Sequence, residues 1–165
     1  IMATPLDEPS LREIKIFDEP FLLYRNPKQM ASFSSPLNSN ELPKDTLLLL
    51  EEGHCFREQA IALCSNQNPK TEIGFTYQSG SIESIKRLVQ KNMGYTLVPE
   101  LSVNSSDEKE YILPFEEPKP VREISLIVHK NFTKEALIEN LKASVLKNLP
   151  ARLDTAAQYK RIKWK

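Results

Sequence analysis

Residues 46–64 read TLLLLEEGHCFREQAIALC. Residues 46–50 form a continuous apolar run of the kind found in strands buried on both faces. Glu51-Glu52-Gly53 ends that strand, and the pattern predicts a helix from about His54 to Cys64. A buried strand passing through a short turn into a helix is the repeating unit of an α/β fold. The same alternation continues in both directions. Upstream, residues 14–17 and 21–25 read as two strands separated by a turn at Asp18-Glu19-Pro20, followed by a polar loop rich in Ser, Pro and Asn over 26–45. Downstream, a loop over 65–70 leads to a predicted strand over 72–78. Ser81 is a plausible N-cap for a helix striped by Ile82, Ile85, Leu88 and Val89, with Gly94 as its C′ residue. Residues 95–98 form a strand stopped by Pro99, and residues 111–113 a short one. Pro114, Pro118 and Pro120 mark a connector into a strand over 121–129. Thr133 caps a helix carrying Leu137, Ile138, Leu141, Val145 and Leu146, and a final helix is expected from 151 to about 161. The whole predicts parallel sheet covered by helices. The proline-marked segments near Pro20 and Pro118–Pro120 then read as two strands of a hinge between lobes.

Acidic and basic residues are equal in number, 22 each, whereas a domain that grips DNA by itself carries a basic excess. The closing cluster Lys160, Arg161, Lys163 and Lys165 reads as a solvated end. No apolar run approaches the roughly 20 residues that cross a bilayer, and Ile1-Met2-Ala3-Thr4-Pro5 lacks the basic start and apolar middle of a signal peptide. A cytoplasmic protein is expected, and one beginning mid-domain, with the first segment read as a strand already under way.

Two cysteines are too few for a disulfide scaffold. Their setting suggests chemistry instead. Cys55 falls where a strand and a glycine give way to a helix N-terminus, whose free N–H groups and dipole stabilise a thiolate. His54 and Arg57 flank it and offer positive charge or a hydrogen-bond donor. Cys64 sits among Ala60, Ile61, Ala62 and Leu63, where a thiol is buried, protonated and slow. Nine residues of helix separate the two by about 13 Å along the axis, while a disulfide needs Cα atoms within about 7 Å. The thiols therefore bond only if the helix unwinds, which makes the segment a two-state element coupled to redox state. In that reading Cys55 is oxidised by peroxide to a sulfenic acid and Cys64 condenses with it. The alternative is that both are structural cysteines, small hydrophobes in a core, with Arg57 an ordinary ion-pairing residue and His54 a helix-start histidine. A zinc site is disfavoured, because His129 lies in a separate strand without ligand-pair spacing.

The segment from Glu51 to Ala60, with Cys64 following, resembles the redox segment of the OxyR family, the hydrogen-peroxide sensors among LysR-type transcriptional regulators. Phe17-Asp18-Glu19-Pro20 with Leu22-Leu23 resembles that family's first hinge crossing, and Pro118-Lys119-Pro120-Val121-Arg122 the second. Ser81-Ile82-Glu83 through Gly94, then Thr96-Leu97-Val98-Pro99, is similar to the regulatory domain's helix and strand. The resemblance implies a two-lobed α/β regulatory domain like periplasmic binding proteins, with lobe I from residues 1–17 and 123–165, truncated, and lobe II from 18–122. It implies that a winged helix-turn-helix DNA-binding domain, a linker helix and the threonine-bearing start of the first lobe lie outside this sequence. It implies Cys55 as peroxidatic and Cys64 as resolving cysteine, with His54, Arg57 and Arg122 in support, and no cofactor or metal. The implied partners are hydrogen peroxide, a homodimer or homotetramer of the chain, promoter DNA, RNA polymerase and glutaredoxin- or thioredoxin-type reductants. The implied role is transcriptional activation under oxidative stress. In one respect the chain departs from better-known members, which carry a histidine in the strand after the second cysteine; residues 72–78 contain none.

Two other functions compete. One is a LysR-type effector domain that binds a small organic molecule between its lobes. The other is a thiol peroxidase, against which the lack of a Cys-x-x-Cys motif argues. The apolar stripes of the helices at 82–89 and 137–146 are expected to face the core, with a dimer surface as the alternative.

Overall fold

In a computed structural model of the chain, residues 1–28, 35–39, 42, 47–51, 55–65, 78–104, 106–153 and 158–162 are described. Their frame is one strand. β2 (Leu11–Tyr24) runs unbroken for 14 residues, through the Asp18-Glu19-Pro20 position where a turn was expected. From Leu11 to Pro20 it pairs antiparallel with β7 (Lys119–His129), Glu19 opposite Arg122 and Pro20 opposite Val121, with a bulge between Lys15 and Phe17. From Phe21 onward it changes partners and runs antiparallel between β5 (Thr96–Pro99) and β6 (Ile112–Pro114). The turn does not form because its acidic residues are claimed from across the sheet. Asp18 meets Arg161 at 3.1 Å and Glu19 meets Arg122 at 2.8 Å. Pro20, which has no N–H to donate, sits where the ladder changes hands and loses least there.

β1 (Met2–Thr4) pairs antiparallel with the far edge of β7 at Glu123–Ser125. β8 (Tyr159–Arg161) pairs parallel with the same edge at Lys119–Val121. A final helix was expected over residues 151–161. Instead Ala151 and Arg152 lie in a turn, and the open edge of β7 offers ladder bonds that a lone helix could not match: Lys119 N–H donates to Gln158 at 2.8 Å and Ile162 N–H to Val121 at 3.1 Å. Tertiary pairing overrides local propensity here. Arg161 is no free tail charge, since it pairs with both Asp18 and Glu123. Lys163 and Lys165 lie outside the described residues.

The six-stranded sheet is thus mostly antiparallel. Among the described residues parallel pairing, expected throughout, is confined to β8, to β3 (Leu49–Leu50) against β4 (Gln78–Ser79), and to single bridges joining Leu47 to Tyr95 and Leu37 to Phe115. The rest of the expected strand at 72–78 lies outside the described residues.

Three helices cover this frame. α1 (Cys55–Ser65) buries Phe56, Gln59, Ala60 and Leu63 at helical spacing. α2 (Ile82–Gln90) buries Ile85 and Val89 as expected, and Ser81 holds its N-cap position without a capping side-chain bond. The turn that ends α2 is made by Asn92 at φ 64° rather than by Gly94, with Met93 N–H returning to Leu88 at 3.1 Å. α3 (Glu135–Lys147) begins after Lys134 rather than Thr133, and Ile138 is its one fully buried residue. Leu137, Leu141 and Leu146 stay 55%, 41% and 43% exposed, so of the expected core stripe the leucines face outward while Ile138 and Val145 pack on the smaller cluster.

Two apolar clusters result. The larger gathers upper β2, β3, α1, α2 and β5, and includes Phe21, Tyr24, Leu47, Phe56, Ile85 and Tyr95. The smaller sets Ile16, Leu126 and Ile138 together under α3. Inside the larger cluster a charged network holds α2 to β2 and to the segment before β6. The buried Lys86 ammonium donates to Glu83 at 2.9 Å, to Glu108 at 3.1 Å and to the Ser102 carbonyl, and lies over the Tyr24 ring. Tyr24 O–H donates to Glu108 at 3.0 Å. Burial by itself raises the Glu108 pKa. The bonds from Asn104 N–H, Lys86 and Tyr24, with the charge of Lys86, reverse that and hold it below the ordinary 4.5. A lowered carboxylate pKa stabilises the fold above the unfolded value and loses that contribution as pH falls through the folded value. Thermal melts taken from pH 7 down to pH 3 should therefore show Glu108→Gln less stable at neutral pH, by about 1–3 kcal/mol, and less sensitive to acid below about pH 4.5.

Candidate functional site

α1 starts at Cys55 and runs unbroken through Cys64. The run Leu47–Leu50, each residue under 9% exposed, feeds directly toward its N-terminus, so the backbone of Cys55 lies in the first turn, where N–H groups lack helical partners. His54 lies outside the described residues, as do the expected strand positions 72–77. Arg57 turns back along the helix and donates from Nη1 to the Leu50 carbonyl at 3.0 Å, tying α1 to the end of β3. Its one described bond is therefore to the backbone of the preceding strand.

Cys64, at the other end, is a free thiol packed against the larger core cluster. Burial pushes its pKa up to about 12, although a hydrogen bond with the Tyr95 side chain pulls the other way. The thiolate fraction at pH 8 is then on the order of one in ten thousand, and only the thiolate is nucleophilic. Nine positions apart on an intact helix, the two cysteines are held about 13 Å apart along the axis, beyond the roughly 7 Å that a disulfide spans. The two cysteines therefore cannot bond to each other for as long as α1 persists.

Arg122 reaches the same region from β7. Its Nε and Nη2 donate to Glu19 Oε2 at 2.9 and 2.8 Å, and its guanidinium lies over the Phe56 ring, 5.4 Å from the centroid. Glu19 is 2% exposed, and its other oxygen accepts Leu101 N–H at 3.0 Å. Phe56 also packs on Phe21, ring centroids 5.5 Å apart. Arg122 was expected on the strength of resemblance; Glu19, Phe56 and Gln59 were not. Glu19 was read as part of a turn, and no local pattern signals a partner 103 residues away. Gln59 is fully buried, and among the described residues neither Nε2 nor Oε1 has a hydrogen-bond partner. An unpaired buried amide costs about 1–3 kcal/mol per group, and Gln59 follows Cys55 by one helical turn.

Among the described residues no group of three or more His, Cys, Asp or Glu side chains is placed to hold a metal ion. No described helix is long and apolar enough to cross a membrane.

The long strand β2, its antiparallel partner β7 and the cysteine helix all lie within a region that matches known proteins. The LysR substrate-binding domain model matches residues 1–150. The chain belongs to that family. Among solved LysR-type structures, an OxyR mutant from Porphyromonas gingivalis superposes with a TM-score of 0.78 at 29% identity, over 96% of this chain and 73% of that one. The reduced OxyR regulatory domain from Pseudomonas aeruginosa gives 0.71 at 29% identity, over 87% of this chain and 70% of that one. The hydrogen peroxide-inducible genes activator of Haemophilus influenzae is 29% identical over 156 residues, 93% of this chain and 51% of that protein. The DNA-binding transcriptional dual regulator OxyR of Escherichia coli K12 is 26% identical over 156 residues, 93% of this chain and 50% of that protein. The chain spans about half the length of the curated relatives it matches.

The burial of Cys64 has a direct readout. Iodoacetamide added to the folded, reduced protein at pH 8 should alkylate Cys64 at least a hundredfold more slowly than a free cysteine, with the rate recovered in denaturant; equal rates in both conditions would mean that Cys64 is exposed.

Proposed function

We propose that the chain is the redox-sensing part of a peroxide-responsive transcription regulator, with Cys55 as the peroxidatic and Cys64 as the resolving cysteine. The observation that carries this reading is the placement of both cysteines on one continuous helix seated on the core. Oxidation to a disulfide is incompatible with that helix, so the redox state selects between two folds of the segment. In the first step the Cys55 thiolate attacks one oxygen of hydrogen peroxide, an S–O bond forms, the O–O bond breaks, and the departing hydroxide takes a proton to become water. In the second, the sulfur of Cys64 attacks the Cys55 sulfenic acid. The S–S bond forms, the S–O bond breaks, and the Cys64 proton leaves with the hydroxyl as a second water. His54, Arg57 and Arg122 support the site electrostatically, and the unpaired amide of Gln59 supplies polar contacts to the incoming peroxide.

The two apolar clusters support lobes made of residues 1–17 with 123–165 and of residues 18–122, joined where β2 and β7 cross. In the whole protein, rearrangement of α1 would alter the contacts of a homodimer or homotetramer, and through a separate winged helix-turn-helix domain its hold on promoter DNA and its contact with RNA polymerase. Glutaredoxin- or thioredoxin-type reductants would reset the switch in the cytoplasm. The chain acts once per oxidation as a sensor and not as a peroxidase. Organism-level support comes from the relatives, which are named as hydrogen peroxide-inducible activators.

A second reading rests on an open groove of about 550 Å³ beside the hinge, lined by Phe17, Glu19, Leu101, Arg122, Val145 and Leu149 among others. An organic effector seated there would stabilise the protein independently of its thiols.

Mass spectrometry after one equivalent of hydrogen peroxide, with free thiols trapped by alkylation, decides between them. A Cys55–Cys64 disulfide is expected, and it should be absent in Cys55→Ser and in Cys64→Ser. Two promptly alkylated thiols in the treated wild type would sink the sensor reading.

A further inference from the structure

The residue next to Cys55 makes a contact that the redox chemistry does not need. Phe56 is 8% exposed and lies between two parts of the hinge: its ring meets Phe21, the first β2 residue beyond the change of partner, and carries the Arg122 guanidinium of β7 on its face. Arg122 in turn neutralises Glu19, a carboxylate with almost no access to water, and Glu19 holds the first turn after β5 through Leu101 N–H. A buried carboxylate is tolerated only while its partner stays in place. The Phe56 ring beneath the cation is buried, while the Arg122 side chain stays 18% exposed, so the cation–π contact is partly desolvated.

We propose that Phe56 is a positioning residue that links the redox helix to the hinge, its ring fixing the Arg122–Glu19 ion pair only while α1 is intact. The inference rests on the sensor reading above and adds the route by which the oxidation state leaves α1. Bringing the Cys55 and Cys64 Cα atoms from about 13 Å to within about 7 Å requires α1 to unwind in part, and the proposed link places that unwinding in its first turn. Phe56 is covalently joined to Cys55 and is drawn off Arg122 with it. Arg122 then loses one face of its environment while still bonded to Glu19, at the crossing where β2 and β7 join the two apolar clusters. The bond chemistry of oxidation is unchanged; what changes is the support of a buried charge pair at the strand crossing. Coupling of this kind is reciprocal, so a change at the hinge must also shift the thiol–disulfide equilibrium.

The test is the reduction potential of the Cys55–Cys64 pair in the full-length protein, measured in glutathione or dithiothreitol buffers. Phe56→Leu keeps apolar bulk and removes the aromatic face. It should favour the disulfide by about threefold to thirtyfold, a fall of about 15 to 45 mV. Phe56→Tyr restores the face and should keep the wild-type potential. Glu19→Gln, which touches neither cysteine nor α1, should also shift the potential, but much less once Phe56→Leu is present, because the link is already cut. If Glu19→Gln does not fold, Arg122→Lys takes its place in the cycle. Unchanged potential in Phe56→Leu, or shifts that simply add in the double variant, would overturn the link while leaving the switch itself standing. Failure of the wild type to form the disulfide at all would instead overturn the sensor reading.

Discussion

A carboxylate with 2% exposure sits at the place where two long strands cross, and much else follows from the need to neutralise it. Glu19 takes both of its strong partners from elsewhere in the chain, the Arg122 guanidinium on β7 and the Leu101 N–H after β5. Ionised groups removed from water must be paired and hydrogen-bonded, since the desolvation cost is several kcal/mol per charge. That requirement pins the register of β2 against β7 within one residue: a slip of one would send Glu19 to the opposite face and leave Arg122 unpaired. The register then sets where β2 changes partners, at Pro20 and Phe21, and so how the two apolar clusters sit on one strand.

The cysteine helix is attached to that same point. α1 is held at its start by Arg57 on the Leu50 carbonyl, along its length by the stripe of Phe56, Ala60 and Leu63, and at its end by Cys64 packed on the core with Tyr95 beside it. None of these contacts is exceptional by itself. Their joint effect is to hold residues 55–65 helical, and that helix keeps the two cysteines apart. The unsatisfied amide of Gln59 runs against that stability, a local cost of the kind that accumulates where a segment has work other than packing.

Lys86 shows the same economy of buried charge at the other side of the larger cluster. It sits in the helix position that a sequence pattern assigns to solvent, between Ile85 and the exposed Arg87. Its ammonium is accommodated because Glu83, Glu108 and the Ser102 carbonyl surround it and Tyr24 lies beneath it. In both places a charge that looks superficial in sequence becomes an internal clamp between elements.

How much of this was legible follows from the range of each interaction. The amino-acid sequence by itself determined the helix of the cysteines, their separation along it, the buried Leu47–Leu50 run and the inward stripe of α2, because each depends on residues within a few positions of one another and on the periods of helix and strand. It also placed Cys55 at a helix start and Arg122 beside a proline-marked crossing. Tertiary structure decided the rest. The acidic residues of Asp18-Glu19-Pro20 stay extended because arginines 103 and 143 residues away claim them. Residues 159–161 form a strand because the edge of β7 was open, and the leucines of α3 point outward because the smaller cluster beneath it needs only Ile138 and its neighbours. Those outcomes rest on ladder bonds and ion pairs between distant segments, whose energies have no trace in local composition.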